Sequence, residues 1–242
     1  MVRLALSGYG KVGQHVVAAA KADPEVKLVA IIERKDHPLV GSIQEGVTFT
    51  ADASEIRKVD VLIEFSTPAA VMEHLGYAAR HGVPVLIATT GLTPEQRAVV
   101  EKAAEKAPVL LTSNVTLGMN VLFALLPQMA KTLFEAGWTG AITETHRAGK
   151  KDAPSGTALR LQEGVHQATG KEIPAFSIRA GNVVGVHRID LIGPSGETIE
   201  ITHRVQSRED FAMASVALAK KLVGLPPALY DGQDLITREL GS

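Results

Sequence analysis

V-R-L-A-L-S-G-Y-G-K-V-G, from Val2 to Gly13, is the stretch of sequence that decides the fold. The apolar run Val2–Ser7 is typical of a buried strand, and it leads through G-x-G-x-x-G into a helix predicted over Lys11–Ala22. In such a unit the first glycine permits a tight turn, the second lets backbone approach a pyrophosphate, and the third allows close packing of helix on strand. The glycine turn alone is a weak signal, but its flanking strand and helix predict a dinucleotide-binding domain.

The second predicted strand bears on which dinucleotide is bound. K-L-V-A-I-I-E, Lys27–Glu33, ends on an acidic residue about 20 residues after the glycine turn, the usual place of the ribose-binding carboxylate. Glu33 there favours NADH, whereas Arg34 and Lys35 offer positive charge to a 2′-phosphate, which favours NADPH. The two cations also fit a solvated loop. We expect use of both NADH and NADPH, with affinities within about a hundredfold of each other.

Further apolar runs in the first half extend this pattern into a parallel sheet. Strands are predicted at Asp60–Ser66, Val83–Thr89 and Pro108–Ser113, with helices between them. Apolar strands alternating with helices indicate a sheet covered on both faces, and ligands of such sheets bind beyond the carboxyl ends of the strands. The candidate dinucleotide-binding residues are therefore Gly8, Tyr9, Gly10, Lys11, Val12, Gly13, Glu33, Arg34, Phe65, Ser66, Thr67, Ala88, Thr89, Thr90, Gly91, Ser113 and Asn114.

The pattern changes near Asn114, where we expect a second domain. Long helices are predicted over Leu117–Ala136 and Ser155–Thr169, followed by strands with no helix between them, at Phe176–Ala180, Val186–Ile192 and Thr198–Val205. A helix at Asp210–Val223 and the tail to Leu240 are predicted to return to the first domain. The sequence thus predicts an α/β protein: a Rossmann-type dinucleotide-binding domain, residues 1–114 and 209–242, and an α+β substrate-binding and oligomerisation domain with a mixed sheet, residues 115–208.

G-P-S-G, residues 193–196, separates the last two strands and predicts a hairpin. Alternate positions of these strands carry Ile189, Leu191, Ile199 and Ile201, a pattern that marks one face of the sheet as buried. Two interpretations remain open: a solvated antiparallel ribbon, or a strand pair whose apolar face contacts another subunit.

The composition of the 242-residue chain is that of a globular protein, and it excludes several chemistries. Hydrophobic residues make up 45% and charged residues 21%, and a net charge of −1 gives no electrostatic reason to expect a nucleic acid or a membrane as partner. The absence of cysteine excludes thiolate catalysis and cysteine-based metal sites, and we expect no metal. Neither a signal peptide nor an uncharged apolar run of membrane-spanning length is recognisable, so we expect a cytoplasmic protein.

E-T-H-R-A-G-K-K-D-A-P-S-G-T-A, Glu144–Ala158, is the segment that indicates a reaction. The imidazole is a potential proton donor, the neighbouring cations suit an anionic substrate, and the helix predicted at the end of the segment presents free backbone N–H groups. Each of these groups alone fits a structural or solvated role. Together they predict a site for a small carboxylate or dicarboxylate. The candidate residues are His146, Arg147, Lys150, Gly156 and Thr157.

The pattern E-x-H-x-x-x-K-x-D-x-P-S-G-T-A resembles the signature of the dihydrodipicolinate reductase family, the 4-hydroxy-tetrahydrodipicolinate reductases of bacterial lysine and diaminopimelate biosynthesis. The long signature is highly specific, and the resemblance extends over nearly the whole chain. Its other parts are Gly8–Gly13, Glu33-Arg34, F-S-T-P, A-T-T-G, S-N-V-T-L-G-M-N (Ser113–Asn120), S-I-R-A-G-N-V-V-G-V-H (Ser177–His187) and I-T-H-R-V-Q-S-R (Ile201–Arg208).

The resemblance implies roles for particular residues. His146 matches the proton donor of the family, and Lys150 matches its catalytic and substrate-binding lysine. Gly156 and Thr157 match the residues that bind a substrate carboxylate, and Arg208 matches a substrate-binding arginine near an interdomain hinge. The family also implies a homotetramer assembled through the sheet of the second domain, and a dicarboxylate substrate.

The implied reaction is hydride transfer from a reduced nicotinamide to an unsaturated cyclic imine dicarboxylate, followed by protonation from His146 or from water that it holds. Two positions depart from the family pattern. Arg147 stands where many members have a second histidine, and a guanidinium stays protonated and cannot serve as an acid–base group. Ala141 occupies a position that is often acidic.

Two rival interpretations come from other classes. An aspartate or homoserine dehydrogenase-like enzyme shares the features of the first half but leaves P-S-G-T-A unexplained. A non-catalytic NAD-sensing module has no need of His146 and Lys150.

Overall fold

The structure, a computed structural model, describes residues 1–235. The chain divides into two compact units, one formed by Met1–Val115 together with the chain from Arg208 onward, the other by Thr116–Ser207. Of the predicted return to the first domain at residues 209–242, residues 236–242 lie outside the described part.

The first unit is built on an eight-stranded sheet. Its strands are β1 Val2–Ser7, β2 Val26–Ile32, β3 Ile43–Gln44, β4 Val47–Thr50, β5 Val61–Glu64, β6 Val85–Ile87, β7 Pro108–Leu111 and β12 Ala228–Tyr230. They lie in the order β12-β7-β6-β5-β1-β2-β4-β3, and every neighbouring pair is parallel except β3 with β4. The order reverses beside β1, and this reversal creates the crevice in which open α/β sheets bind ligands. The prediction of an α/β fold is confirmed.

Helices cover both faces of this sheet within residues 1–230. They are α1 Lys11–Ala22, α2 Pro68–His81, α3 Pro94–Ala104 and α6 Arg208–Leu222, with a 3₁₀ turn at Ala53–Lys58. Because successive strand residues point to opposite faces, Leu4 and Leu6 pack in the core beneath α1 and α6, whereas Ala5 packs in the core beneath α2 and α3. Both cores are apolar, which is why the strands read as continuous apolar runs in the sequence.

The second unit is a four-stranded mixed sheet with two helices. Its strands are β8 Thr139–His146, β9 Ala175–Arg179, β10 Gly185–Ile192 and β11 Thr198–Val205, and its helices are α4 Leu117–Glu135 and α5 Gly156–Thr169. The strand order is β11-β10-β8-β9, in which only β8 and β9 are parallel. The predicted hairpin is present, since Gly193 donates to the carbonyl of Glu197 at its tip. The mixed sheet predicted for this region is confirmed.

The apolar face of the hairpin belongs to the core of its own subunit. Ile189 and Leu191 are completely buried there, and Ile199 and Ile201 pack against the same cluster, which includes residues of α4 and α5. The interpretation of this face as a subunit contact is therefore wrong, and so is that of a wholly solvated ribbon. The alternation of apolar residues identified which side chains share a face of the sheet. Helices α4 and α5 of the same chain pack on that face.

Helix α4 is the one helix within residues 1–235 that is long and apolar enough to cross a membrane, judged by length and composition alone. Core helices of soluble proteins pass the same test. Met119, Phe123 and Leu126 of α4 pack into the core of the second unit, and Lys131 interrupts the apolar composition. These contacts identify α4 as a core helix.

Candidate active site

The glycine turn has the geometry that its sequence predicts. Gly8 adopts φ +94°, and a Cβ placed there would come within 2.5 Å of the Phe65 carbonyl oxygen. A Cβ at Gly13 would lie 2.0 Å from the Gly8 carbonyl oxygen, so α1 packs closely on the turn. Among residues 1–235, no atom outside the adjacent residues lies within 4 Å of a Cβ built on Gly10, which caps α1 with its backbone. The turn therefore combines tight packing beneath with open space at the helix N-terminus, where a pyrophosphate binds favourably.

A cavity of about 550 Å³ opens over this turn at the carboxyl ends of β1, β2 and β5. It brings together part of the predicted dinucleotide set: Gly8, Gly10, Glu33, Arg34, Phe65, Ser66 and Thr67 line it. The remaining lining residues are Ser7, Ile32, Lys35, Ala51, Ala69, Ala70, Glu73 and His74. The size and the lining fit the adenosine and pyrophosphate portion of a dinucleotide.

Glu33 is held against the glycine turn. Its Oε1 accepts from the Tyr9 amide at 2.5 Å and its Oε2 from the Arg34 amide at 3.1 Å. The carboxylate thus lies between the turn and the end of β2, where a ribose hydroxyl would meet it. The Arg34 side chain is exposed and pairs with Asp36, with Nε to Oδ1 at 3.2 Å. A 2′-phosphate would have to compete with that carboxylate for Arg34.

The other predicted dinucleotide residues do not line this cavity. Ala88, Thr89, Thr90 and Gly91 follow β6, and Ser113 and Asn114 follow β7, so all six lie beyond carboxyl ends of the same sheet. Thr89 and Asn114 are buried, whereas Thr90 and Gly91 are exposed. Tyr9, Lys11, Val12 and Gly13 belong to the turn and the first residues of α1.

A buried carboxylate, Glu144, organises the candidate site of the second unit. It lies on β8 with its side chain fully inaccessible, and it accepts five hydrogen bonds. The donors are His146 Nδ1 at 2.5 Å, the Ser155 amide at 3.1 Å, Ser177 Oγ at 2.7 Å, and Arg179 Nη1 and Nη2 at 2.9 and 2.7 Å. Burial alone would raise the pKa of Glu144, but the bonds from Arg179, Ser177 and His146 outweigh it and lower the pKa to about 2.

His146 is oriented by this carboxylate. Because Nδ1 bonds Glu144, the neutral ring carries its proton on Nδ1 and leaves Nε2 as the group able to exchange a proton. Burial lowers the pKa of His146, and Glu144 opposes that effect without cancelling it. The ring is therefore mainly neutral near pH 7, and a bound anion close to Nε2 would favour its protonation.

A second imidazole, His187, packs beside the first. The two rings meet edge to face with centroids 5.2 Å apart, and His187 Nε2 lies 3.1 Å from Ser155 Oγ. Burial lowers the pKa of His187 to about 3, so it is neutral over the physiological range. His187 thus helps to fix both His146 and the start of α5.

The cations of the segment differ in their placement. Lys150 is half-buried, and its Nζ lies 2.8 Å from Asp152 Oδ1. A turn in which the Lys150 amide donates to the Arg147 carbonyl brings the chain back towards α5. Arg147 itself is exposed and lies over Gly149, where a Cβ would come within 2.8 Å of its guanidinium.

Helix α5 begins where the sequence predicts a carboxylate site. Ser155 caps it, with Oγ accepting from the Ala158 amide at 3.3 Å, and Gly156 and Thr157 form its first turn. Amides in the first turn have no acceptor within their helix, and the helix dipole favours an anion there. Arg208 is the first residue of α6 and belongs to the first unit.

Reasoning from the sequence missed Arg179, Ser177 and His187 as members of this cluster. All three lie in the S-I-R-A-G-N-V-V-G-V-H segment, but only strand pairing brings them to Glu144 and His146: Glu144 lies opposite Ser177 on one side and opposite His187 on the other, and His146 lies opposite Arg179. Within residues 1–235 no group of three or more metal-ligating side chains that could hold an ion is found.

Comparison with known proteins finds relatives of both units of the chain. Family models described as dihydrodipicolinate reductase, N-terminus and C-terminus, match residues 2–115 and 118–236. A 4-hydroxy-tetrahydrodipicolinate reductase of Citrifermentans bemidjiense is 35% identical over 98% of this chain and 99% of its own, and one of Syntrophotalea carbinolica is 36% identical over the same shares. The solved dipicolinate-bound dihydrodipicolinate reductase of Paenisporosarcina sp. TG-14 has the same fold, with TM-score 0.80 at 24% identity over 98% of this chain and 99% of that one.

The two family models together span nearly the whole chain, and the relatives are similar over nearly their full length. Both findings support the same family assignment. The chain belongs to the dihydrodipicolinate reductase family.

Proposed function

We propose that this protein converts 4-hydroxy-tetrahydrodipicolinate to tetrahydrodipicolinate in the diaminopimelate route of lysine biosynthesis. The 4-hydroxyl group leaves as water, and the resulting unsaturated ring takes a hydride from NADH or NADPH and a proton. The observation that carries the proposal is the cluster on β8 and α5: a proton-exchanging imidazole fixed by a buried carboxylate, a half-buried lysine and a helix N-terminus. The same chain carries a dinucleotide-binding turn before this cluster. Relatives of the chain are named for this reaction.

The first unit holds the dinucleotide. The open N-terminus of α1 at Gly10 accepts the pyrophosphate, and Glu33 accepts hydrogen bonds from the ribose. When bound, the reduced nicotinamide supplies the hydride. Arg34 and Lys35 line the same cavity and extend binding to a 2′-phosphate.

The second unit holds the dicarboxylate. Lys150 supplies a positive charge, and the first-turn amides at Gly156 and Thr157 bind one carboxylate at the positive end of α5. Asp152 pairs with Lys150 before the substrate arrives and keeps the ammonium in place. Arg147 is exposed in the same loop as Lys150, and its positive charge attracts the anionic substrate. Arg208 is a further candidate for binding a substrate carboxylate.

His146 completes the reduction by delivering a proton. The negative charge of the bound substrate favours the protonated ring, and Glu144 stabilises the imidazolium through Nδ1. The proton on Nε2 then passes to the substrate, directly or through a water. His187 stays neutral because of its burial, and it therefore serves to position the ring of His146 rather than to exchange the proton.

We further propose a cytoplasmic homotetramer assembled through the outer face of the four-stranded sheet. That face lies opposite the one covered by α4 and α5, and it exposes Phe176, Ile178 and Ile192, with 58% of Phe176 accessible. Exposed apolar side chains on an open sheet face indicate an interface.

Substitution of the two central side chains tests the site. His146→Ala and Lys150→Ala should each lower turnover by roughly 10²–10⁴-fold, because each removes a group required for proton transfer or charge stabilisation. Dinucleotide affinity, measured by fluorescence titration, should not change. Lys151→Ala, which removes the exposed neighbouring ammonium, is the matched control. Near-normal turnover in both site variants would contradict the assignment.

A further inference from the structure

Beside the nucleotide cavity, a buried carboxylate is hydrogen-bonded to an imidazole, and the proposed reaction uses neither group. Glu64, at the carboxyl end of β5, is completely inaccessible. Its Oε2 accepts from Ser66 Oγ at 2.6 Å, and its Oε1 lies 2.6 Å from His74 Nδ1. A buried carboxylate is costly unless it is paired, and here Ser66 and His74 supply the pairing.

His74 connects this carboxylate to the cavity. It lies on α2, is 6% exposed, and lines the same space as Gly8, Gly10 and Glu33. Nδ1 is engaged with Glu64, and among residues 1–235 no hydrogen bond from a protein group to the remaining nitrogen, Nε2, is found. The cavity is therefore the environment that Nε2 meets. In the neutral ring, Nδ1 donates to Glu64 and Nε2 is an acceptor.

The position of His74 along the cavity identifies the part of the dinucleotide that it meets. A pyrophosphate at the glycine turn and a ribose at Glu33 would leave the first two turns of α2 for the base. Ala69 and Ala70 offer small apolar surfaces there, as a flat aromatic base requires.

We propose that Nε2 of His74 accepts a hydrogen bond from the exocyclic amino group of adenine, and that Glu64 is the positioning residue that fixes the ring for this contact. This inference rests on the proposed function and deepens it. It makes the cavity selective for a base with an amino donor at that position. Hypoxanthine and guanine present a carbonyl oxygen there, which would set one acceptor against another.

The test compares NADH with reduced nicotinamide hypoxanthine dinucleotide, in which a carbonyl oxygen replaces the 6-amino group of adenine and N1 carries a hydrogen. Dissociation constants are measured by fluorescence titration without substrate. The wild-type protein should bind NADH roughly tenfold more tightly, the loss expected when a hydrogen bond is removed and its acceptor is left unpaired.

The variant His74→Asn separates the two functions of the ring. Its amide nitrogen, attached to Cγ as Nδ1 is, still donates to Glu64, but it has no group at the place of Nε2. It should fold with a near-native thermal transition, bind NADH more weakly and bind the two dinucleotides with equal affinity. His81→Asn, at the exposed end of the same helix, is the matched control and should keep the wild-type ratio.

The outcomes distinguish this inference from the proposed function. A wild-type protein that binds both dinucleotides equally well overturns the inference alone, as does a folded His74→Asn variant that retains the wild-type ratio. A wild-type protein that binds neither NADH nor NADPH overturns the proposed function and this inference with it.

Discussion

Replacing Glu144 by glutamine tests the buried network through its dependence on pH. The change is nearly isosteric, but the amide cannot accept all five hydrogen bonds and carries no charge to balance Arg179. The depression of the Glu144 pKa from 4.5 to about 2 corresponds to about 3 kcal/mol of folding free energy at pH 7. The side chain is fully buried, so solvent does not screen this contribution away.

The sign of the pH dependence of stability follows from the direction in which the pKa of Glu144 is shifted. A carboxyl whose folded pKa is depressed stabilises the fold fully above its unfolded pKa of 4.5, and it loses that contribution as the pH falls through about 2. About 2 kcal/mol of this contribution to the folding free energy should be lost when the pH falls from 7 to 3. The glutamine variant has no such titration at this position. The stability gap between wild type and variant should therefore narrow from about 3 kcal/mol at pH 7 to about 1 kcal/mol at pH 3.

Urea unfolding followed by circular dichroism at pH 7, 4 and 3 measures this gap. Glu163→Gln, an exposed carboxyl on α5, is the control and should differ from wild type by less than about 0.5 kcal/mol throughout. A Glu144→Gln gap that is the same at pH 7 and pH 3, or that is negligible at pH 7, would refute the assignment of this carboxylate as an ionised, fully paired centre.

Three further outcomes are expected. Isothermal titration should give dissociation constants for NADH and NADPH within about a hundredfold, or about 2.7 kcal/mol, and Arg34→Ala should weaken NADPH more than NADH; a larger gap would contradict mixed use. Gly8→Ala should abolish dinucleotide binding or unfold the first unit, since its Cβ meets the Phe65 carbonyl at 2.5 Å; near-native affinity would contradict the turn geometry. Phe176→Asp should lower the mass seen by light scattering from that of a tetramer, and an unchanged mass would argue against the outer sheet face as the interface.

Much of the fold could be predicted from the sequence because buried parallel strands are continuous apolar runs. The run Val2–Ser7 became β1 with the predicted bounds, and the other predicted strands of the first unit differ from β2, β5, β6 and β7 by one or two residues at their ends. The strands at Ile43–Gln44, Val47–Thr50 and Ala228–Tyr230 were not predicted. They are two to four residues long, too short for their pattern to stand out from a loop.

The candidate site could be predicted only where its residues are close in sequence. His146 ends β8 and Lys150 lies in the loop that leads from β8 to α5, so a local motif contains both residues. Arg179 and His187 reach Glu144 and His146 across the β9–β8–β10 register, and that register depends on long-range pairing that no local pattern encodes. For the same reason the apolar face of the hairpin could be recognised, while its cover by α4 and α5 could not.

The most direct test of the central claim is turnover of the proposed substrate. Fresh product of dihydrodipicolinate synthase is added to the purified protein with NADH or NADPH, and nucleotide oxidation is followed by absorbance. Oxidation should depend on both the substrate and the protein, proceed with each nucleotide, and fall by roughly 10²–10⁴-fold in His146→Ala. No oxidation with either nucleotide would contradict the account.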